Sequence, residues 1–262
     1  MSGQFYGDLG FGRKYVLKFR GTQGYDLYFR WMEVPIDTYM TTILPMFGGA
    51  IFFDDTLELT GTDTVSRIDY GVYGQLSVGS SRDIWLGGNI RYVTARLDNG
   101  SFNAENETNS LGILSEANIL IRNNWENGRD NGDEFPDIWR KNIIITAGMV
   151  ALGESFSFED QNDVPAAGGG MLPEWYYSNG PWPDERGDIQ LWGADNQKRR
   201  GYVHRSNHGG TGYGKDYNYD VRFITDPPPF YPKLSSDGTT VASRTIVSWG
   251  AGALSQYGAG TE

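Results

Sequence analysis

The chain repeats a short phrase of alternating apolar residues, and each copy is followed by a turn and a second such phrase. The copies are Ile51-x-Phe53 with Leu57-x-Leu59, Leu76-x-Val78 with Ile84-x-Leu86, Leu111-x-Ile113 with Ile119-x-Ile121, and Ile143-x-Ile145 with Val150-x-Leu152. Alternation with a period of two predicts strands that bury one face. Because a recurring two-strand unit is typical of stacked repeats, we predict an all-β fold, a right-handed parallel β-helix or solenoid-like stack.

The segments around these repeats have a different pattern. Residues 15–31 alternate on both sides of a Gly-rich turn and predict an N-terminal β-hairpin. Residues 32–48, which contain two prolines, are the one place where the pattern allows a short helical turn. Residues 204–234 are rich in Tyr, Gly and Pro and predict an irregular closing segment.

We therefore predict one domain over residues 1–234, with the stacked units at about 49–203. Residues 235–262 are predicted to form a terminal strand and a flexible tail. The long polar segments Asp98–Ser110, Asn123–Arg140 and Glu154–Asp188 are interpreted as loops between the units.

Composition and charge limit the classes of partner that the protein can bind. The chain has 262 residues, 36 of them Gly, and a net charge of −11. Such an acidic chain does not attract nucleic acid, because phosphate binding requires a positive field. The absence of Cys excludes disulfides and thiolate chemistry.

No apolar stretch is long enough to cross a bilayer. Attachment to a membrane would thus depend on an N-terminal anchor missing from this sequence. The N-terminal sequence lacks the charged-then-apolar order of a signal peptide, so the protein is either cytoplasmic or a mature or truncated piece of an exported one. The acidic, Gly-, Asn- and Tyr-rich composition favours the second alternative, an extracellular or cell-surface protein.

The loop NNWENGRDNGDEFPD contains the best candidate metal ligands, Asp130, Asn131 and Asp133. Calcium prefers carboxylate-rich loops with a glycine turn. The alternating ligand pattern of known calcium loops is absent, however, and a solvated insertion explains the same residues. Calcium is the one cofactor that the sequence suggests.

An aromatic series set among Pro and Gly is the candidate binding surface: Trp175, Tyr176, Tyr177, Trp182 and Trp192. These rings can stack on sugar rings or pack on a partner subunit. The alternative is a loop packed over the sheet by its own aromatic side chains.

We identify no catalytic residue. Acidic pairs such as Asp54-Asp55, Glu159-Asp160 and Asp184-Glu185 suggest the two carboxylates of a glycosidase, but neighbours on a strand point to opposite faces. The two histidines, His204 and His208, lie in a Gly-rich stretch that does not favour a helix. We interpret them as exposed residues rather than metal ligands.

Several phrases resemble an uncharacterised bacterial family of surface proteins with type IV pilin-like N-terminal anchors. They are GQLSVGSSRDIWLGGNIRY, LGILSEANILI, NIIITAGMVALGESF, KRRGYVHRSN, GYGKDYNYDVRF and PPPFYPK, within roughly residues 49–233. The resemblance implies an exported β-solenoid of unknown biochemical role, with no catalytic residues to transfer. This chain departs from the family because it lacks the hydrophobic N-terminal helix.

Three functional hypotheses follow from the sequence. The first is a non-enzymatic, cell-surface or pilus-associated structural or adhesive protein, with surface subunits or a glycan as partners. The second is a polysaccharide-active enzyme with a groove lined by carboxylates and aromatic rings. The third is a subunit of a self-assembling extracellular filament or layer.

Overall fold

Strands are the main regular structure in the described part of the protein. The computed structural model describes residues 13–31, 34–62, 70–127, 141–159, 185–205 and 211–231. These residues form fourteen strands and no α-helix. The strands are β1 Arg13–Phe19, β2 Tyr25–Trp31, β3 Val34–Ile43, β4 Phe47–Phe53, β5 Leu57–Thr60, β6 Gln75–Ser80, β7 Ile84–Leu86, β8 Ser110–Ser115, β9 Ile119–Ile121, β10 Ile143–Ala151, β11 Phe156–Phe158, β12 Glu185–Gln197, β13 His204–Arg205 and β14 Thr211–Tyr219. Short 3-10 turns lie at Gly21–Gln23, Trp125–Asn127 and Val221–Ile224.

The strands form two seven-stranded sheets. Sheet A has the order β11-β9-β7-β5-β1-β2-β3, and sheet B has the order β13-β14-β12-β10-β8-β6-β4. From β4 to β12, successive strands along the chain alternate between the two sheets, and each of the first three repeated pairs contributes one strand to each sheet. Neighbours formed in this way pair in parallel. The fourth predicted pair is wrong, because Ile143-x-Ile145 and Val150 lie on the single strand β10, and the next strand of sheet A is β11.

The prediction of a right-handed parallel β-helix or solenoid-like stack is wrong. The strands form two open sheets of mixed direction, because β2 and β3 at one edge of sheet A and β13 at one edge of sheet B pair antiparallel. Period-two alternation fixes which face of a strand is buried but does not fix how many sheets form or whether they close. The all-β character and three of the four predicted strand pairs are present among the described residues, and the closed helical winding is not.

Three local predictions can be compared with the strands. The hairpin at residues 15–31 is present as β1 and β2, whose register joins Tyr15 to Phe29. The helical turn allowed at residues 32–48 is wrong, since β3 occupies most of that segment and pairs with β2. The closing segment at residues 204–234 is less irregular than predicted, because β14 is a nine-residue strand paired in parallel with β12.

One hydrophobic core contains the inward side chains of both sheets. The leading residues of three repeated phrases, Leu76, Leu111 and Ile143, are fully buried in it. Sheet A contributes the corresponding residues of the second phrases, among them Ile84 and Ile119. The apolar alternation in the sequence is therefore explained by a shared core.

The last described segment, residues 220–231, crosses the outer face of sheet B and is called the strap. It lies along a row of small residues that the strand register aligns across five strands, Ala194, Gly148, Gly112, Ser77 and Ala50. A Cβ atom added to Gly148 would lie 2.8 Å from the Tyr231 ring, and one added to Gly112 would lie 3.3 Å from Pro228. Small side chains thus provide the space that the strap fills.

Candidate functional site

Most of the aromatic surface predicted from sequence lies outside the described residues. This holds for Trp175, Tyr176, Tyr177 and Trp182. Trp192 is described, and it is half-buried on β12.

Trp192 contacts the loop that precedes β8. Its indole Nε1 donates a hydrogen bond to the Asn99 carbonyl at 2.9 Å, and its ring centroid lies 5.9 Å from that of Phe102. Phe102 in turn contacts Tyr92, and the Arg222 guanidinium lies over both rings. This ring therefore anchors a loop, and its part in a binding surface stays a prediction.

The candidate calcium ligands Asp130, Asn131 and Asp133 also lie outside the described residues. In the part of the chain that the structure describes, no group of three or more His, Asp or Glu side chains is arranged to hold a metal ion. His204 lies on β13 and is exposed, and His208 is outside the described ranges. Within those same ranges, no helix has the length and apolar character that a membrane span requires.

Asp195 on β12 is the carboxyl with the most unusual environment. Burial raises its pKa to about 6, against the opposing effect of a hydrogen bond from Gln197. Its Oδ2 accepts that bond at 2.8 Å, whereas Oδ1 is buried without a partner among the described residues. A protonated carboxyl at mildly acidic pH is a candidate general acid, but glycosidase chemistry needs a second carboxylate opposite it.

The edge formed by β3 and β4 exposes an apolar surface. β3 is the outermost strand of sheet A, β4 is the outermost strand of sheet B, and three residues connect them. The large exposed side chains here are Ile36, Tyr39, Met40, Leu44 and Phe47. The most exposed of them, Leu44, keeps 75% of its surface accessible. Soluble monomers avoid apolar strand edges of this kind, which mark sites of protein contact.

The opposite edge of sheet B is also open over most of its length. β14 pairs with β12 on one side, while β13 on the other side pairs only with Thr211 and Gly212. Residues 214–219 have no strand partner on that side among the described residues. Tyr217 and Tyr219 are exposed there.

A cluster of charged side chains, called the charge cluster, lies on the face of sheet A that is opposite the core. The register aligns Lys14 with Arg30 and Glu58 with Trp85. Arg122 joins them from the residue that follows β9. Because side chains alternate along a strand, Glu58 points to the opposite face of sheet A from its buried neighbours Leu57 and Leu59.

Glu58 is the centre of the charge cluster. Its Oε2 accepts hydrogen bonds from Lys14 Nζ, from Arg122 Nη1 at 2.5 Å and from Arg30 Nη1 at 3.3 Å. The Glu58 side chain is 5% exposed and that of Lys14 is 1% exposed. Arg30 also binds Asp37, which accepts a further contact from Lys18 at 2.9 Å.

The charges of the charge cluster perturb one another. Burial acts to raise the pKa of Glu58, but the positive charges of Lys14, Arg122 and Arg30 outweigh it and hold that pKa below its usual value. Burial lowers the pKa of Lys14 to about 8, although Glu58 opposes the shift. Burial likewise acts to raise the pKa of Asp37, and hydrogen bonds from Arg30 and Lys18 reverse the effect.

These carboxylates do not form an acid–base pair. Glu58 and Asp37 share Arg30, so they are a candidate for the two-carboxylate arrangement that the enzyme hypothesis requires. Both have lowered pKa values and stay ionised, so neither is a proton donor at neutral pH.

The comparisons with known proteins give no relative. No family model matches the chain, and no curated protein or solved structure is significantly similar to it.

Sequence reasoning missed both the apolar edge and the charge cluster. The outward positions of Lys18, Arg30 and Glu58 follow from strand alternation alone, so a partial signal exists. Their proximity depends on which strands are neighbours, since β1 and β5 are separated by three strands along the chain.

Proposed function

We propose that the protein is a non-enzymatic structural protein that assembles with copies of itself through the edges of its sheets. The observation that carries this proposal is the apolar edge of β3 and β4. An open strand edge carries unpaired backbone N–H and C=O groups, and these groups form a template for pairing with another strand. Five large exposed side chains at this edge add apolar area that association would bury.

The occupant that fits this edge is the β14 edge of a second copy. All strands of sheet B from β4 to β14 run parallel, and β4 and β14 expose opposite sides. A neighbouring copy can therefore place its β4 beside residues 214–219 and continue the parallel order. Residues 214–219 are six residues long, and β4 pairs with a strand of the same length, β6, within the chain.

An association of this kind joins two different surfaces. When the rotation between successive copies does not close a ring, such head-to-tail contacts repeat indefinitely. The product is then a linear assembly. This agrees with the filament hypothesis from sequence. Export to a cell surface, a pilus partner and a glycan ligand stay predictions.

The test is the mass of the protein as a function of concentration, measured by light scattering and analytical ultracentrifugation. We expect the mass to rise with concentration for the natural sequence. The double variant Leu44→Lys/Phe47→Lys should remove the rise, because two charges on an open edge oppose pairing.

A matched control carries the same two charges elsewhere. Leu97→Lys/Leu152→Lys replaces exposed apolar residues outside the edge and should assemble like the natural sequence. A natural sequence that stays monomeric at every concentration would overturn the proposal. So would equal loss of assembly in both double variants.

A further inference from the structure

The charge cluster on sheet A contains more positive than negative charge. Its cations are Lys14, Lys18, Arg30 and Arg122, and its carboxylates are Glu58 and Asp37. Glu126 acts on Arg30 from further away, and it reduces the excess from two charges to one. The described residues therefore leave an excess of positive charge in a partly buried site, where an anion can act as counterion.

The charge cluster also has hydrogen-bond donors left over. Lys14 carries three N–H groups and, among the described residues, makes one hydrogen bond, to Glu58. Within the same part of the chain, Arg122 donates from Nη1 alone, again to Glu58. Trp85, whose ring lies 4.3 Å from the Lys14 ammonium, has a buried Nε1 with no partner among the described residues.

One side of the charge cluster is accessible. The Arg122 side chain is 26% exposed, whereas Lys14 and Glu58 are enclosed. A small ligand can thus reach the free N–H groups of Arg122 first, beside the Trp85 ring over which Arg122 lies.

We propose that the charge cluster binds a small oxyanion, a carboxylate or phosphate group, against Arg122 and Trp85. A guanidinium with free N–H groups matches the paired oxygens of both anions. The indole N–H supplies a neutral donor, and Lys14 supplies long-range attraction. This binding is separate from assembly, because the charge cluster lies on a sheet face and the proposed assembly uses sheet edges.

The test is calorimetric titration of the full chain with inorganic phosphate and, separately, with glucuronate as a carboxylate sugar. We expect at least one anion to bind, and Arg122→Met to weaken its affinity at least about tenfold, the effect of losing a charge-assisted hydrogen bond. The control Arg199→Met removes an exposed arginine that pairs with Glu154 and should leave the affinity unchanged. Arg122→Lys keeps the charge without the paired geometry, and its affinity should fall between the two.

A second readout separates a specific site from general attraction. A bound anion favours the protonated form of Lys14, which faces Glu58, Arg30, Arg122 and Trp85. Calorimetric titrations near pH 8, in buffers of different ionisation enthalpy, should therefore show that the protein takes up protons when the anion binds. This proton uptake should vanish in the Lys14→Met variant. If neither anion binds, or if Arg122→Met binds as tightly as Arg199→Met, the charge cluster is a purely structural network and the proposal is wrong.

Discussion

At the scale of single residues, the protein contains ionisable groups whose environments shift their pKa values. Asp195 is the clearest case, because burial disfavours its ionised form and, among the described residues, Gln197 alone donates a hydrogen bond to it. Glu58 is the reverse case, since three cations around it outweigh the cost of burial. Each environment has a measurable consequence for stability.

Asp195→Asn should stabilise the protein at neutral and higher pH. The pKa of Asp195 is about 6 in the folded state and 3.8 when unperturbed, so the folded state binds more protons between these values. Its contribution to stability is therefore lost as pH rises through that window. The variant should gain about 1–3 kcal/mol in urea unfolding at pH 8. The gain should shrink as pH falls toward 3.8, and a gain independent of pH would contradict the assignment.

Glu58→Gln should destabilise the protein strongly. The variant leaves Lys14, Arg30 and Arg122 without their shared carboxylate. Removing one member of a buried ion pair costs about 3–5 kcal/mol. Urea unfolding at neutral pH measures the loss. The control Asp98→Asn breaks the exposed pair with Arg96 and should change stability little; similar losses in both variants would refute the central role of Glu58.

At the scale of elements, the strap shows how small residues in one element determine where another packs. Tyr231 donates a hydrogen bond to the Met149 carbonyl at 3.2 Å and accepts one from Asn196 at 2.9 Å. The Arg222 side chain donates two hydrogen bonds to Asp220 and two more to the carbonyls of Glu107 and Asn109, and the Arg222 backbone N–H donates a third to Asp220. The strap is therefore held at both ends by polar contacts and in the middle by fit to sheet B.

Gly148→Leu should release the strap. The new side chain would occupy the space of the Phe223 and Tyr231 rings, which lie about 3 Å from the added Cβ. Trypsin cleavage after Arg222 should then become faster, because proteolysis follows local opening. Tyr219→Leu replaces an exposed residue on β14 and should leave the cleavage rate unchanged. An equal rate in both variants would mean that the strap does not depend on the glycine row.

At the scale of the whole molecule, the core joins the two sheets and makes one cooperative unit of them. Strands of both sheets contribute to a single buried cluster, from Leu17 on β1 to Tyr213 on β14. Contacts such as that between Tyr15 and Phe53, with ring centroids 5.2 Å apart, connect the sheets directly. Since each sheet alone would expose its apolar face, neither is stable without the other.

Leu111→Ala should therefore destabilise both sheets together. Leu111 is fully buried in the middle of the core, and truncation of such a leucine costs about 2–5 kcal/mol through lost burial and a residual cavity. Hydrogen exchange should show protection falling in strands of sheet A as well as sheet B. The control Leu97→Ala, in an exposed turn, should stay within about 0.5 kcal/mol of the natural sequence. Loss of protection in sheet B alone would show that the sheets unfold independently.

Part of this organisation could be predicted from the sequence, and part could not. The phrases around Leu76, Leu111 and Ile143 predict buried strands, and all three residues lie in the core. The same phrases do not distinguish a closed helix from two open sheets, because both bury one face of each strand. The charge cluster was missed for a related reason, since Lys14 and Glu58 become neighbours only through the pairing of β1 with β5.

The sequence by itself determined the strands and buried faces of the hairpin and of the first three repeated pairs, because side-chain alternation and Gly-rich reversals act within a few residues. Only the tertiary structure decided that β3 and β4 lie at open edges, that the strap fits a row of small residues, and that four cations surround two carboxylates. These features depend on pairing between distant strands. Pairing follows from the total burial of the chain and not from any local pattern.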